Sequence, residues 1–237
     1  MSNCAIILSC LRRDKPKTLS LVLGKPMLEW VISSLKKAGI NDICIVKGFK
    51  KECIDEFVST LDFKVETVYQ AERLGTGHAV MMAKDFLESH KGDRPFMDSK
   101  TIEKSLEQHI NTQSSATVIS AMVDDPTGYG RIVRDENGDV KSIVEQKDGS
   151  EEILKIKEVN SGGFWFDAEK LLSVLGRISS DNNAKEYYLP DALKLLLSDG
   201  CKVGAYTAEC SDTVLGANDP AQLEELNNIA KDRGYTC

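Results

Sequence analysis

The sequence has no apolar run near the roughly 18 residues that a membrane-spanning helix needs, and its N-terminus lacks the pattern of a secretion signal. We therefore expect a cytoplasmic protein. A basic excess is also absent, since the formal net charge is −7, which argues against a broad surface for nucleic acid or anionic membranes. A basic site for phosphates is still compatible with this charge, but it must be local.

Paired cysteine motifs are missing as well. The chain has 7 cysteines, an odd number, and no C-x-x-C pair. This pattern is typical of reduced thiols and favours neither a structural zinc site nor a disulfide framework. The chain also has no internal repeat and no low-complexity linker.

The chain does have a regular alternation of short apolar segments and helical patterns over its first two-thirds, as βαβ units do. This predicts an α/β fold with a doubly wound sheet, followed from Ala116 by longer β segments. Predicted strands cover residues 5–8, 43–46, 65–69, 116–123, 131–134, 140–144, 158–166 and 203–206. Predicted helices cover residues 26–38, 51–61, 77–90, 168–175, 187–197 and 220–233.

The segment from Asp124 to Asp148 carries the most informative pattern. Two glycines flank Tyr129, so the backbone there can approach a bound molecule closely. Two strand patterns follow, joined by a strong turn signal at residues 136–138. The return strand ends on Glu145, Gln146, Lys147 and Asp148, polar groups that suit the hydroxyls and amide of a sugar. The alternative is an ordinary surface hairpin with a charged end.

A second polar group follows a predicted strand, where ligands of open α/β sheets bind. Gln70 comes directly after the strand, and Gly75-Thr76-Gly77 precede a helix whose first N–H groups can meet an anion or a base carbonyl. A plain helix entry is the alternative. We expect His78 to be a packed or capping residue, because neither a nucleophile motif nor a metal-ligand spacing accompanies it.

Four motifs occur in order along nearly the whole chain: residues 70–79, 124–148, 182–191 and 216–219. Together they closely resemble the uridyltransferase domain of bacterial bifunctional N-acetylglucosamine-1-phosphate uridyltransferase, of the sugar-1-phosphate nucleotidyltransferase family. The resemblance implies a Rossmann-like nucleotide-diphospho-sugar transferase fold with a mixed central sheet flanked by helices. It also implies a single domain over residues 1–237, with a nucleotide-binding part at about 1–115 and a sugar-binding part at about 116–237.

The activity implied by the resemblance is transfer of uridylyl from UTP to N-acetylglucosamine 1-phosphate with Mg²⁺, a step in making cell-wall precursors. Acetyl transfer, which belongs to a further β-helix in bifunctional members, is not expected. By the same resemblance, Gln70, Gly75 and Thr76 would read the uracil, Gly130, Glu145 and Asn160 would hold the sugar, Lys17 would neutralise phosphate charge in catalysis, and Asp93 and Asn218 would hold Mg²⁺. Taken alone, Asn218 is a turn or cap residue and Lys17 a solvated lysine. The oligomeric state does not follow.

The chain departs from the family at three places. The family's glycine-rich phosphate loop after the first strand is replaced by Ser9 to Asp14, which has no glycine. The apolar strand expected before Asp93 is replaced by the end of a helix and a turn, and the chain is shortened near Ala184-Lys185. Either the protein has lost these segments, or the intact protein contains residues that the sequence omits. The alternative functions are a catalytically impaired sugar-nucleotide binding module and a nucleotidyltransferase for another hexose 1-phosphate.

Overall fold

The computed structural model describes residues 3–9, 11–12, 15–89, 99–211 and 220–232. The elements up to the middle of the chain are β1 (Cys4–Ser9), β2 (Leu11–Arg12), β3 (Lys15–Pro16), the 3-10 helix η1 (Lys17–Leu19), β4 (Leu21–Val22), β5 (Lys25–Pro26), α1 (Met27–Lys37), β6 (Asp42–Lys47), α2 (Lys51–Ser59), β7 (Glu66–Tyr69), α3 (Thr76–Met82), α4 (Lys84–Ser89) and α5 (Ser99–Asn111). The remaining elements are β8 (Ala116–Met122), β9 (Arg131–Arg134), β10 (Val140–Val144), α6 (Glu151–Leu154), β11 (Glu158–Phe166), α7 (Ala168–Leu175), α8 (Asp191–Ser198), β12 (Val203–Thr207) and α9 (Pro220–Asp232).

Two larger sheets occupy the centre of the described structure. The first is parallel and has the order β1-β6-β7, and the second has the order β10-β9-β11-β8-β12. In the second sheet β12 runs parallel to β8, whereas the other neighbouring strands are antiparallel. The prediction of an α/β fold with a mixed central sheet flanked by helices is confirmed.

Both faces of the sheets are buried, as the continuous apolar sequence of β1 predicts. Cys4 and Ile6 of β1 join one hydrophobic cluster, and Ala5 and Ile7 join the other. Helices α3, α4, α7 and α8 supply apolar residues to the first cluster, whereas α1, α2 and α5 supply them to the second. Each face is therefore covered by its own helix layer, which leaves the ends of the strands for ligands.

The described sheet is divided between β1 and β11. Among the described strands, β1 pairs only with β6, and β11 pairs with β9 only at Val159. The Cα atoms of β1 and β11 almost nowhere come within 8 Å of each other, whereas paired strands place opposite Cα atoms about 5 Å apart. Both strands nevertheless contribute to the same two clusters.

Several element predictions needed correction. The helix expected over residues 77–90 is divided into α3 and α4 at Ala83. The helix expected from Tyr187 begins at Asp191, because residues 187–189 make backbone contacts with another segment instead. Helices α5 and α6 were missed by the pattern analysis. The turn between β9 and β10 is confirmed, with Gly138 at φ +85°.

The five cysteines in the described ranges are free, as the odd cysteine count suggests. Burial, together with the nearby Glu66 carboxylate, raises the pKa of Cys44 to about 12, so this thiol stays protonated and unreactive. None of the helices in the described ranges combines the length and the apolar character needed to cross a membrane.

Candidate active site

Gln70 lies directly beyond the carboxyl end of β7 and is buried. Its backbone N–H donates to the carbonyl of Lys47 (2.9 Å), which fixes it beside the end of β6. Its side-chain nitrogen donates to the Gly75 carbonyl (3.1 Å) and to His78 Nδ1 (3.0 Å). Because His78 accepts this bond, it serves here as a packed partner of Gln70. The carboxamide oxygen of Gln70 accepts no hydrogen bond from the described residues.

The start of α3 is joined to a segment more than a hundred residues later in the chain. The N–H of Tyr187 donates to the Leu74 carbonyl, and the N–H of Gly77 donates to the Tyr187 carbonyl, both at 2.7 Å. The N–H of Leu189 donates to Thr76 Oγ1 at 3.0 Å. Thr76 is thus a structural contact as well as a candidate ligand for the base.

Gly75 is required by this contact. Its φ is +104°, and a Cβ at this position would lie 2.5 Å from the Tyr187 carbonyl oxygen. A Cβ at Gly77 would lie 3.0 Å from the same oxygen. The two glycines, a weak signal in the sequence, therefore permit a close approach of two backbones.

The three residues expected to hold the sugar lie together. The N–H of Asn160 donates to the Gly130 carbonyl at 2.8 Å. A Cβ at Gly130 would lie 3.0 Å from Glu145 Oε1, so the Glu145 carboxylate packs directly against the Gly130 backbone. The hairpin of β9 and β10 and the start of β11 thereby bring these residues to one place.

Glu145 also lines a cavity of about 410 Å³. The other polar residues on its wall are Asp148, Arg177, Ser179, Asp181, Asn182, Tyr188, Asp191 and Lys194. Gly130 and Asn160 are outside this wall. The cavity extends from the candidate sugar-binding residues (Gly130, Glu145 and Asn160, called the sugar group below) toward the segment that contacts α3. Residues 182–191 therefore connect the sugar group with the candidate base-binding residues (Gln70, Gly75 and Thr76), and these two sets are the candidate ligand groups.

The charge in this cavity is predominantly negative around Glu145. Burial, followed by the carboxylates of Asp148 and Asp191, raises the pKa of Glu145 above its ordinary value, and Arg131 opposes this rise. Burial and then the carboxylates of Asp148, Glu186, Glu145 and Asp191 raise the pKa of Tyr188 to about 12, so its hydroxyl remains protonated. The carboxylates of this wall can accept hydrogen bonds from the hydroxyls of a sugar.

The expected phosphate and metal residues are less fully placed. Lys17 begins η1, and its neighbour Thr18 shares a hydrogen bond of 2.8 Å with Ser9 at the carboxyl end of β1. Asp93 and Asn218 lie outside the described residues. Within the described ranges no group of three or more His, Cys, Asp or Glu side chains could hold a metal.

Pattern analysis missed four residues that the structure brings into or behind this site. Tyr188 and Asp191 lie in the 182–191 motif, but whether their side chains point into the cavity depends on where α8 begins. Asp148 was noted only as part of a polar strand end. Arg131, adjacent to Gly130, gave no sequence signal that it would be buried.

Comparisons with known proteins show the family of this chain. A model of the nucleotidyl transferase family matches residues 8–213. The bifunctional protein GlmU of Clostridium beijerinckii is 45% identical over 245 residues, covering 98% of this chain and 53% of that protein. GlmU of Caldanaerobacter subterraneus subsp. tengcongensis is 42% identical over 224 residues, covering 92% of this chain and 48% of that protein. The chain therefore spans about half the length of the curated relatives it matches.

Two solved structures share the fold. An apo UDP-glucose pyrophosphorylase superposes with a TM-score of 0.78 at 13% identity, covering 98% of this chain and 99% of that one. HddC from Yersinia pseudotuberculosis, complexed with GMP-PN, has a TM-score of 0.67 at 21% identity, covering 96% of this chain and 99% of that one. The alignment with the C. beijerinckii protein is longer than the 237 residues of this chain, so the relative has positions without a counterpart here.

Proposed function

This chain belongs to the nucleotidyl transferase family, and on that premise we propose that it transfers uridylyl from UTP to N-acetylglucosamine 1-phosphate, giving UDP-N-acetylglucosamine and pyrophosphate. The observation that carries the proposal is the 45% identity to a GlmU protein over 98% of the chain. The proposal is supported by the contacts among Gly130, Glu145 and Asn160, because these residues lie in three separate segments of the sequence and meet at one place in the structure.

The uracil is assigned to Gln70, Gly75 and Thr76. The available carboxamide oxygen of Gln70 can accept from the N3–H of uracil, and the start of α3 offers N–H groups to a carbonyl of the base. The close contact between Gly75 and Tyr187 holds this helix start in place. Cytosine has an unprotonated N3, so it would leave the Gln70 oxygen without a donor, and UTP is preferred for that reason.

The sugar is assigned to Gly130, Glu145 and Asn160. A carboxylate accepts hydrogen bonds from hydroxyls, and such charge-assisted bonds are stronger than those between neutral groups. The side-chain nitrogen of Asn160 provides a neutral donor for the acetamido group, and the missing side chain of Gly130 lets the sugar approach the backbone. The negative cavity beside Glu145 directs the sugar inward and the phosphate outward.

The chemistry requires positioning and charge neutralisation more than a catalytic base. A phosphate oxygen of the sugar phosphate is already anionic, so it attacks the α-phosphorus of UTP directly. A new P–O bond forms as the bond to the β-phosphate oxygen breaks, and pyrophosphate leaves in line. Lys17 would neutralise phosphate charge, since its neighbour Thr18 is bonded to Ser9 at the carboxyl end of β1.

Proteins of this family generally use a divalent metal, and we assign it as Mg²⁺ held by Asp93 and Asn218. A carboxylate and an amide oxygen are hard donors that suit this ion, which commonly takes few protein ligands. When bound it would neutralise charge on the phosphates. The described residues provide no further cluster for it.

The test is release of pyrophosphate from UTP in the presence of N-acetylglucosamine 1-phosphate and Mg²⁺. Turnover dependent on both substrates is expected. A catalytically impaired binding module is the second candidate, favoured by the absence of glycine between Ser9 and Asp14. It would bind UDP-N-acetylglucosamine without turnover. Release with another hexose 1-phosphate alone would instead change the assigned sugar.

The division of labour along the chain is also proposed. Residues up to about 115 would bind the nucleotide, and residues from about 116 would bind the sugar. The change of sheet at β8 supports this division, since β1, β6 and β7 form one sheet and the strands from β8 onward form the other. A cytoplasmic location stays a prediction, and the oligomeric state is left open.

A further inference from the structure

Arg131 is the unusual charged residue near the candidate site. It begins β9 and is only 1% exposed, which makes it one of the largest fully buried side chains. Its guanidinium donates to the Tyr129 carbonyl, to Gln146 Oε1 at 2.9 Å and to the Leu154 carbonyl at 3.3 Å. All of these acceptors are uncharged. Burying a cation is costly unless its donors are satisfied, so such an arrangement calls for an explanation.

The partners of Arg131 belong to the segments that shape the sugar group. Gln146 directly follows Glu145, and its Oε1 also accepts the N–H of Gly128 at 3.1 Å. One amide oxygen thus joins the guanidinium to the loop that ends in Gly130. The register pairs Arg131 with Val144, the residue before Glu145. Because side chains alternate along β9, Arg131 faces away from the side on which a Cβ at Gly130 would meet Glu145.

The guanidinium also opposes the negative charge around Glu145. The carboxylates of Asp148, Asp191 and Glu186 all raise the pKa of Glu145, in addition to burial, whereas Arg131 lowers it. In turn, Glu145 and Asp125 favour the charged form of Arg131, against the effect of its burial. The other ionisable groups on the cavity wall are Arg177, Asp181, Tyr188 and Lys194.

We propose that Arg131 is a positioning residue for the sugar phosphate, which fastens the Gly128–Gly130 loop and Gln146 behind the hairpin end that presents Glu145. This inference rests on the function proposed above. It predicts two separable effects: the planar fork of Arg131 holds the loop, and its charge opposes the rise in the pKa of Glu145 that burial causes. A lysine keeps the charge but cannot reproduce the fork.

The experiment compares Arg131→Met, Arg131→Lys and Gln146→Met by calorimetric titration with UDP-N-acetylglucosamine and, separately, with UTP. Gln146→Met removes the shared oxygen but leaves the charge of Arg131 in place. The matched control is Arg134→Lys, at the other end of β9, where the guanidinium pairs with Glu158 at 2.7 Å. Circular dichroism establishes which variants are folded.

For all three test variants, the affinity for UDP-N-acetylglucosamine should fall by about ten- to a hundredfold, as expected for losing hydrogen bonds to a charged group, while UTP affinity changes little. On acidification, the pH at which affinity for UDP-N-acetylglucosamine is lost (the acid limb of the pH profile) should be higher in Arg131→Met, because Glu145 then becomes protonated more readily. It should stay in place in Arg131→Lys and Gln146→Met. If Arg131→Met does not fold, the latter two variants carry the loop test.

The inference is overturned if the test variants weaken both ligands equally, or no more than Arg134→Lys does. An unmoved acid limb in folded Arg131→Met would overturn the electrostatic part. A wild-type protein that binds neither ligand would refute the proposed function, and the present inference would fall with it.

Discussion

Replacing Gly75 with alanine tests the contact on which both candidate ligand groups depend. At φ +104° and ψ 177°, Gly75 occupies a backbone region that is essentially restricted to glycine, and a side chain there costs about 1–3 kcal/mol. The new Cβ would also lie 2.5 Å from the Tyr187 carbonyl oxygen and 2.9 Å from its nitrogen. Because both neighbours are backbone atoms, they cannot rotate away as a flexible side chain would.

Relief of that clash must move the two backbones apart, which weakens the 2.7 Å bonds between Leu74, Gly77 and Tyr187. Overpacking of this kind costs a further 1–3 kcal/mol or so. The combined loss of about 2–6 kcal/mol corresponds to a fall in Tm of roughly 5–20 °C for a domain of this size. Affinity for UDP-N-acetylglucosamine should fall as well, since residues 187–189 adjoin the cavity beside Glu145.

The control is Gly200→Ala. Gly200 also has a positive φ, +75°, but a Cβ there would meet nothing within 4 Å. This variant should show backbone strain alone, about 1 kcal/mol, and lower the Tm by roughly 2–4 °C. Thermal unfolding followed by circular dichroism measures both variants. A fall for Gly75→Ala no larger than for Gly200→Ala would refute the close contact.

Four further predictions follow from the site and the sheet. Glu145→Ala should cost about 1.5–3 kcal/mol in use of the sugar phosphate and much less in UTP binding, and equal losses in steady-state kinetics would contradict the sugar assignment. Gln70→Ala should relax discrimination between UTP and CTP, and an unchanged preference in competition assays would remove Gln70 from the base site. Burial alone would raise the pKa of Glu158, but hydrogen bonds from Arg134 and Ser120 hold this pKa below its ordinary value. The ionised Glu158 therefore stabilises the fold at pH values above its unfolded pKa, and this stabilisation is lost as the pH falls through the lower folded pKa. Glu158→Gln should therefore destabilise the fold by about 1–3 kcal/mol at neutral pH, less than for a fully buried pair because Arg134 is partly exposed. This difference should shrink in urea unfolding below about pH 4, and a constant difference would count against the ion pair. If the division between β1 and β11 reflects omitted residues, intact-mass spectrometry should give a mass above 26.2 kDa by at least a strand of about 5–6 residues. The heavier protein should show Mg²⁺-dependent turnover that Asp93→Ala abolishes. A protein of 26.2 kDa should turn over very slowly, and robust activity at that mass would show that the missing segments are dispensable.

The apolar run of β1 and the hairpin signal at residues 136–138 were sufficient in the sequence to predict a buried sheet and a two-stranded hairpin. Local patterns determine these features, because burial on both faces demands a continuous apolar strand and a tight turn demands glycine. Membership of the family was likewise predictable, since the motifs are contiguous. The grouping of Gly130 with Glu145 follows largely from hairpin register.

Only the tertiary structure decided how distant segments meet. No periodicity in the sequence connects Gly75 with Tyr187 or moves the start of α8 to Asp191, because those positions depend on backbone contacts across more than a hundred residues. Nor does an arginine in a β-strand pattern indicate that Arg131 is buried behind the sugar group, since arginine is usually exposed. The sequence determined which residues are candidates for the site, and the packing of the hairpin against β11 and the α3 contact decided which of those candidates lie together.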